Sequence, residues 1–149
     1  MYKFFMIVFA LYVAGCSSND QKSYRNHEIE FRLAEQTPGE DFVEYQFKNY
    51  NKNFYLHKEV LFSNDDVLDT RVIKFNDEFA VEIKFTESGK IRWSEITGNN
   101  IGKNMAILVD DKLVTCPIIQ TKIDKGLAII NGGFSELEAE EIVYSLVSK

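Results

Sequence analysis

Phe79-Ala80-Val81-Glu82-Ile83-Lys84-Phe85-Thr86 is the stretch whose reading decides the fold. Phe79, Val81, Ile83 and Phe85 recur at every second position, which lines one face of a strand with large apolar side chains. Thr86 follows directly, and its hydroxyl is suited to cap a helix. That helix carries Trp93, Ile96 and Thr97 on one side. Its end is expected near Gly98-Asn99-Asn100, residue types that tolerate a left-handed C-cap.

Downstream, Asn104-Met105-Ala106-Ile107-Leu108-Val109 is nearly continuous in apolar character and reads as a strand buried on both faces. Asp110-Asp111-Lys112 is a tight turn into a second strand, Leu113 to Cys116, which Pro117 ends or confines to an edge. Gly126 breaks the chain before a further strand, Leu127-Ala128-Ile129-Ile130. Ser135-Glu136-Leu137-Glu138 is a capping box, in which Ser135 and Glu138 each satisfy an amide of the other's residue. Ala139, Ile142, Val143, Leu146 and Val147 then form the stripe of a helix packed on a core. The glutamates of its first turns, Glu136, Glu138, Glu140 and Glu141, read as a solvated face at the favourable end of the helix dipole.

Upstream the pattern is less regular. Ile29-Glu30-Phe31-Arg32-Leu33 alternates as a half-exposed strand does. Thr37-Pro38-Gly39-Glu40-Asp41 is a turn. From Phe42 to Phe62 the chain is rich in aromatics, interrupted by Asn49, Asn51 and Asn53, and reads as short strands and loops. Core packing accounts for most of these rings. The asparagines mark an exposed loop, so Tyr50, Phe54 and Tyr55 are the candidates for contact with a partner. Ser63-Asn64-Asp65-Asp66 is a helix cap or turn, and Arg71 to Phe75 a strand. The order of elements implies an α+β fold, with helices covering one face of a mainly antiparallel sheet.

The chain starts with one Lys, Lys3, an apolar run from Phe4 to Tyr12, and Val13-Ala14-Gly15-Cys16. This is the layout of a secretory signal peptide, with a cysteine at the cleavage point. It resembles the bacterial lipobox, which implies cleavage before Cys16 and diacyl or triacyl modification of its thiol. The apolar run is shorter than the about 20 residues that span a bilayer. The expected domains are therefore a lipoprotein signal peptide at 1–15, a lipidated Cys16 with a flexible polar tether to residue 26, and a single domain over 27–149. Ser17 is not the acidic residue that retains many lipoproteins at the inner membrane, so the outer membrane is the expected location, on its periplasmic or surface face.

Removing 15 residues from 149 leaves 134, and removing Lys3 from a formal charge of −6 leaves −7. Such a chain lacks the basic stripe that nucleic acid requires. An apolar content of 45% is enough for a packed core rather than a disordered tail. With Cys16 taken by lipid, Cys116 has no disulfide partner within the chain. It lies in an apolar stretch and reads as a small buried strand residue. A reactive thiol would need a nearby cation or histidine, and His27 and His57 are distant in sequence.

The second half resembles a specific family, the head subdomain of the first periplasmic domain of SecD and fused SecDF. The resemblance rests on Phe85-Thr86-Glu87-Ser88-Gly89, Trp93, Thr97, Asn100, Gly102-Lys103, Met105 to Asp110, Pro117, Gly126, Gly132 or Gly133, and Phe134-Ser135 with Ala139. These hold register without gaps over roughly residues 79–147. Glu30 to Leu33, Leu56 to Leu61 and Asp65-Asp66-Val67 fit more loosely. Asp111 stands where the family usually places Gly in a hairpin turn, so a different turn is expected. The resemblance implies contact with extended or partly folded polypeptide. The family's proton-driven cycle is not expected to carry over, since no membrane helix is expected in the mature chain.

No zinc helix, nucleophile elbow or phosphate loop is present in the sequence. The expected function is that of a non-enzymatic, lipid-anchored envelope module without cofactor or metal, contacting exported or partly folded polypeptide. The alternatives are a scaffold or immunity-type protein with one envelope partner, and an envelope hydrolase working through Cys116.

Overall fold

The computed structural model describes residues 26–47 and 52–147. Chain order is β1 (Ile29–Glu35), β2 (Phe42–Phe47), β3 (Lys52–His57), β4 (Val67–Phe75), β5 (Glu78–Phe85), α1 (Glu87–Asn99), β6 (Asn104–Val109), β7 (Lys112–Thr115), β8 (Leu127–Phe134) and α2 (Glu136–Val147). The α+β class with antiparallel pairing holds, and the strands divide into two sheets. One has five strands in the order β2-β3-β1-β6-β7, the other three in the order β4-β5-β8.

The periodicity of β5 is realised. Val81, Ile83 and Phe85 are buried on one face, and Thr86 Oγ1 accepts the Gly89 amide at 3.1 Å to start α1. Thr70 of β4 pairs with Ile83 and so shares that face. Its hydroxyl donates to the Val143 carbonyl of α2 at 3.2 Å, which seats α2 there. Trp93 of α1 joins the same core, in edge and tilted contact with Phe31, Phe62 and Phe85 at centroid distances of 5.6, 5.1 and 5.1 Å. Each such ring pair adds about 0.5–1.5 kcal/mol beyond its area burial.

β6 is buried along its whole length, as its unbroken apolar run requires. Met105, Ile107 and Val109 face the main core. Ala106 and Leu108 face a second, smaller core with Ala34, Phe54 and Leu56. This second core exists because the five-stranded sheet curls until its edge strands β2 and β7 meet. Tyr45 on β2 donates to Asp111 Oδ1 at 2.5 Å across that seam.

Some local details differ from expectation. Asn100 at the end of α1 has φ −125°, so the helix does not close on a left-handed residue there. Instead, the Asn100 side-chain amide donates to the Ile96 carbonyl at 2.9 Å, and the first positive φ falls at Gly102. The Asp110-Asp111 turn keeps the geometry that glycine would favour, with φ of 50° and 60°. Aspartate tolerates this region because its short carboxylate bonds locally. In this turn the Asp110 carboxylate is engaged across the fold instead, taking the Glu28 amide at 3.0 Å and His27 Nδ1 at 2.7 Å. β7 stops at Thr115, one residue earlier than expected, and β8 runs four residues further, to Phe134. Among the described residues no helix is long and apolar enough to cross a membrane.

Candidate functional site

A strongly apolar opening among the described residues follows from what happens after β7. Pro117 cannot continue the ladder, and the chain runs on through Ile118 to Ile123 as an irregular wall. That wall is pinned at several points. Met105 N donates to the Pro117 carbonyl at 2.8 Å, Ile119 N to the Lys103 carbonyl at 2.9 Å, and Gly102 N to the Ile119 carbonyl at 2.8 Å. Ile123 N donates to Thr97 Oγ1 at 2.9 Å. Gly126, at φ +65°, then turns the chain into β8. A Cβ there would lie 2.7 Å from the Lys90 side chain, so the close approach also requires glycine.

Between this wall and β8 lies a groove of about 480 Å3. Its floor includes Trp93, Thr97, Met105 and Ile107, and Ile118, Ile119, Leu127 and Ile129 stand along its sides. Ala128 pairs with Ile83 on the core face of β8, and strand alternation puts Leu127 and Ile129 on the opposite face. Residues from both faces line the groove, so it runs along the free edge of β8, where backbone amides and carbonyls point. Ile118 and Ile129 are 53% and 41% exposed, an unusual display of aliphatic surface beside an open strand edge. Trp93 is itself 4% exposed, and its buried Nε1 has no hydrogen-bond partner among the described residues.

A more polar cleft of about 580 Å3 continues past Pro117, lined by Thr115, Cys116, Asn131 and Gly133 among others. β7 and β8 approach each other there because Gly132 has no side chain. A Cβ on it would sit 3.1 Å from that of Val114.

The titratable groups named from sequence are not gathered into one site. His27 is held by Asp110. His57 stacks on Phe42 at 4.6 Å and stands 3.5 Å from Glu35. Cys116 is half-buried and unpaired, and burial pushes its thiol up to about 12. A thiol held protonated so far above neutral pH is a poor nucleophile. No group of three metal-ligating side chains occurs among the described residues.

Of the partner-contact candidates, Phe54 is corrected: it is 5% exposed and packs inside the curled sheet with Leu56 and Leu108. β3 alternates, so Phe54 points inward while Tyr55 is half-buried on the other face. Tyr50 lies outside the described residues, as do Cys16, the leader and most of the tether. The groove itself was not anticipated. Its signal was present as Ile118-Ile119, Ile123, Leu127 and Ile129, a cluster of aliphatics around Pro117 and Gly126.

Residues 40–148 match the family model described as SecDF, P1 head subdomain. Over 96 residues the chain is 34% identical to the protein translocase subunit SecD of Calditerrivibrio nitroreducens, covering 62% of this chain and 18% of that one. It is 37% identical over 91 residues to the protein translocase subunit SecDF of Thermus thermophilus, covering 59% of this chain and 12% of that one. The chain thus spans less than a fifth of the length of either relative. Among solved structures, a membrane component SecDF that enhances protein export superposes with a TM-score of 0.68 at 25% identity, over 90% of this chain and 70% of that one. SecDF in a super-membrane-facing form gives 0.67 at 25% identity, over 83% and 19%. Another solved relative is a translocon-associated membrane protein. Relatives of this kind belong to the inner membrane with a periplasmic domain, which overturns the expectation of an outer-membrane location. By fold, by the reach of the family match and by the identity of these relatives, the chain belongs to the family of the P1 head subdomain of SecDF.

Proposed function

We propose that this domain is a non-enzymatic accessory of protein export that holds an extended segment of polypeptide in the groove beside β8. The observation that carries the reading is an apolar groove wrapped around a free strand edge. An extended chain laid there gains main-chain hydrogen bonds from the edge and pockets for alternate side chains from the walls. The translocase relatives make exported polypeptide the natural client. The raised thiol of Cys116 speaks against a hydrolase.

The tether is the second part of the proposal. Val13-Ala14-Gly15-Cys16 supports cleavage before Cys16 and a lipid on its sulfur. Two or more acyl chains suffice for stable anchoring. The ten residue steps from Cys16 to Asn26 reach about 35 Å at full extension, which keeps the head close to the membrane surface.

A photo-crosslinker at Ile129 in intact cells tests the groove, with one at the exposed Leu137 of α2 as control. A ladder of exported polypeptides at Ile129 and not at Leu137 is the expected result. One stoichiometric adduct favours a scaffold instead, and no adduct removes the reading. Mass spectrometry of the purified protein tests the anchor: an N-terminus at Cys16 with added acyl mass is expected, and a retained Met1 rejects it.

A further inference from the structure

The rim of the groove has a charge of its own, opposite to that of the chain. Lys125 lines the groove beside Leu127. Lys103 adjoins Ile119, whose amide its carbonyl accepts at 2.9 Å. Both lysines are exposed, and neither has an ion-pair partner among the described residues. The carboxylates nearby are already engaged. Glu82 takes Arg71 Nε at 2.6 Å. Asp124 takes Lys122 at 3.2 Å and the Ser94 hydroxyl. Glu82 and Asp124 are thus engaged by other cations, which leaves the Lys125 ammonium at the rim, and that of Lys103 next to the Ile119 wall, without an ion-pair partner among the described residues.

We infer that the groove selects aliphatic segments flanked by acidic residues; this rests on the reading of the groove as a polypeptide site. Apolar walls read the centre of the segment, and Lys103 and Lys125 read its flanks. The overall charge of −6 does not cancel this preference. At about 0.1 M salt, charges further than about 10 Å are largely screened, so the rim lysines dominate what a docked segment feels. Rim charges of this kind steer and discriminate more than they add affinity.

Trp93 is the single tryptophan of the chain and lines the groove, so its fluorescence reports occupancy. The test uses the full chain and three peptides with one shared Val/Ile/Leu centre and Glu, Lys or Ser flanks. Calorimetry gives the affinity independently of fluorescence. The Glu-flanked peptide is expected to bind about tenfold tighter than the Lys-flanked one in dilute buffer, with the gap closing near 1 M salt as the screening length falls to about 3 Å. The double variant K103E/K125E is expected to reverse the order, and both positions are exposed, so it keeps the fold. Equal binding of the Glu- and Lys-flanked peptides, or an unchanged order in the double variant, overturns the charge selection while the groove reading stands. If none of the three peptides binds, both readings fall.

Discussion

Thr97 shows how one side chain serves two elements. It is fully buried, and its hydroxyl donates to the Trp93 carbonyl at 2.8 Å and accepts the Ile123 amide at 2.9 Å. The second bond ties the groove wall to α1. Thr97→Val keeps the shape and removes the acceptor, which leaves a part-buried amide unsatisfied. Such a loss costs about 1–3 kcal/mol. Urea unfolding is expected to show that destabilisation, with Thr97→Ser close to wild type. The position of Thr97 on the inward side of α1 was legible from the spacing Trp93, Ile96, Thr97. Its bond to Ile123 was not, because the partner lies 26 residues away in an irregular segment. Phe54 misled for the opposite reason: asparagine neighbours signalled exposure, and strand alternation decided its burial.

At the level of elements, the most local signals were the most readable. The capping box of α2 is formed as expected, with Glu138 N donating to Ser135 Oγ at 3.3 Å and Ser135 N to Glu138 Oε2 at 2.8 Å. Ser135→Ala is expected to lower stability by about 1 kcal/mol in chemical denaturation. The Ser135 amide and hydroxyl hold the Glu138 carboxyl below its usual range. Its contribution is therefore present above the unfolded pKa of about 4.3 and lost as pH falls through the lower folded value. The fall in stability as pH drops below about 4.3 is expected to be shallower in Ser135→Ala than in wild type. The strands were harder. β1, β5, β6, β7 and β8 fall where alternation or an apolar run marked them, whereas β2 and β3 were not placed individually and β4 starts four residues before the expected Arg71. Their division into two sheets depends on pairings such as β1 with β6, some 75 residues apart. No local pattern encodes that choice. The groove suffered likewise, since its walls come from β8 and a segment without any regular period.

For the whole molecule, the seam of the curled sheet is the informative place. Burial, and then the hydrogen bond to the Asp111 carboxylate, raise the Tyr45 phenol from 10.0 to about 12. A raised folded value means that the bond stabilises fully below about pH 10, where the unfolded phenol is still protonated, and is lost as pH climbs towards 12. Thermal unfolding is expected to fall steeply across that range in wild type and more gently in Tyr45→Phe. The variant is also expected to speed amide exchange in β2 and β7 more than in β4 and β5. An equal effect on all four strands rejects the seam as a local closure.

β6 gives Met105, Ile107 and Val109 to one interior and Ala106 and Leu108 to the other. The molecule consequently has no half that it can surrender. A defect at Ala106 inside the small core shifts the same backbone that carries Met105 and Ile107 on the floor of the groove, so injury on one side is answered on the other.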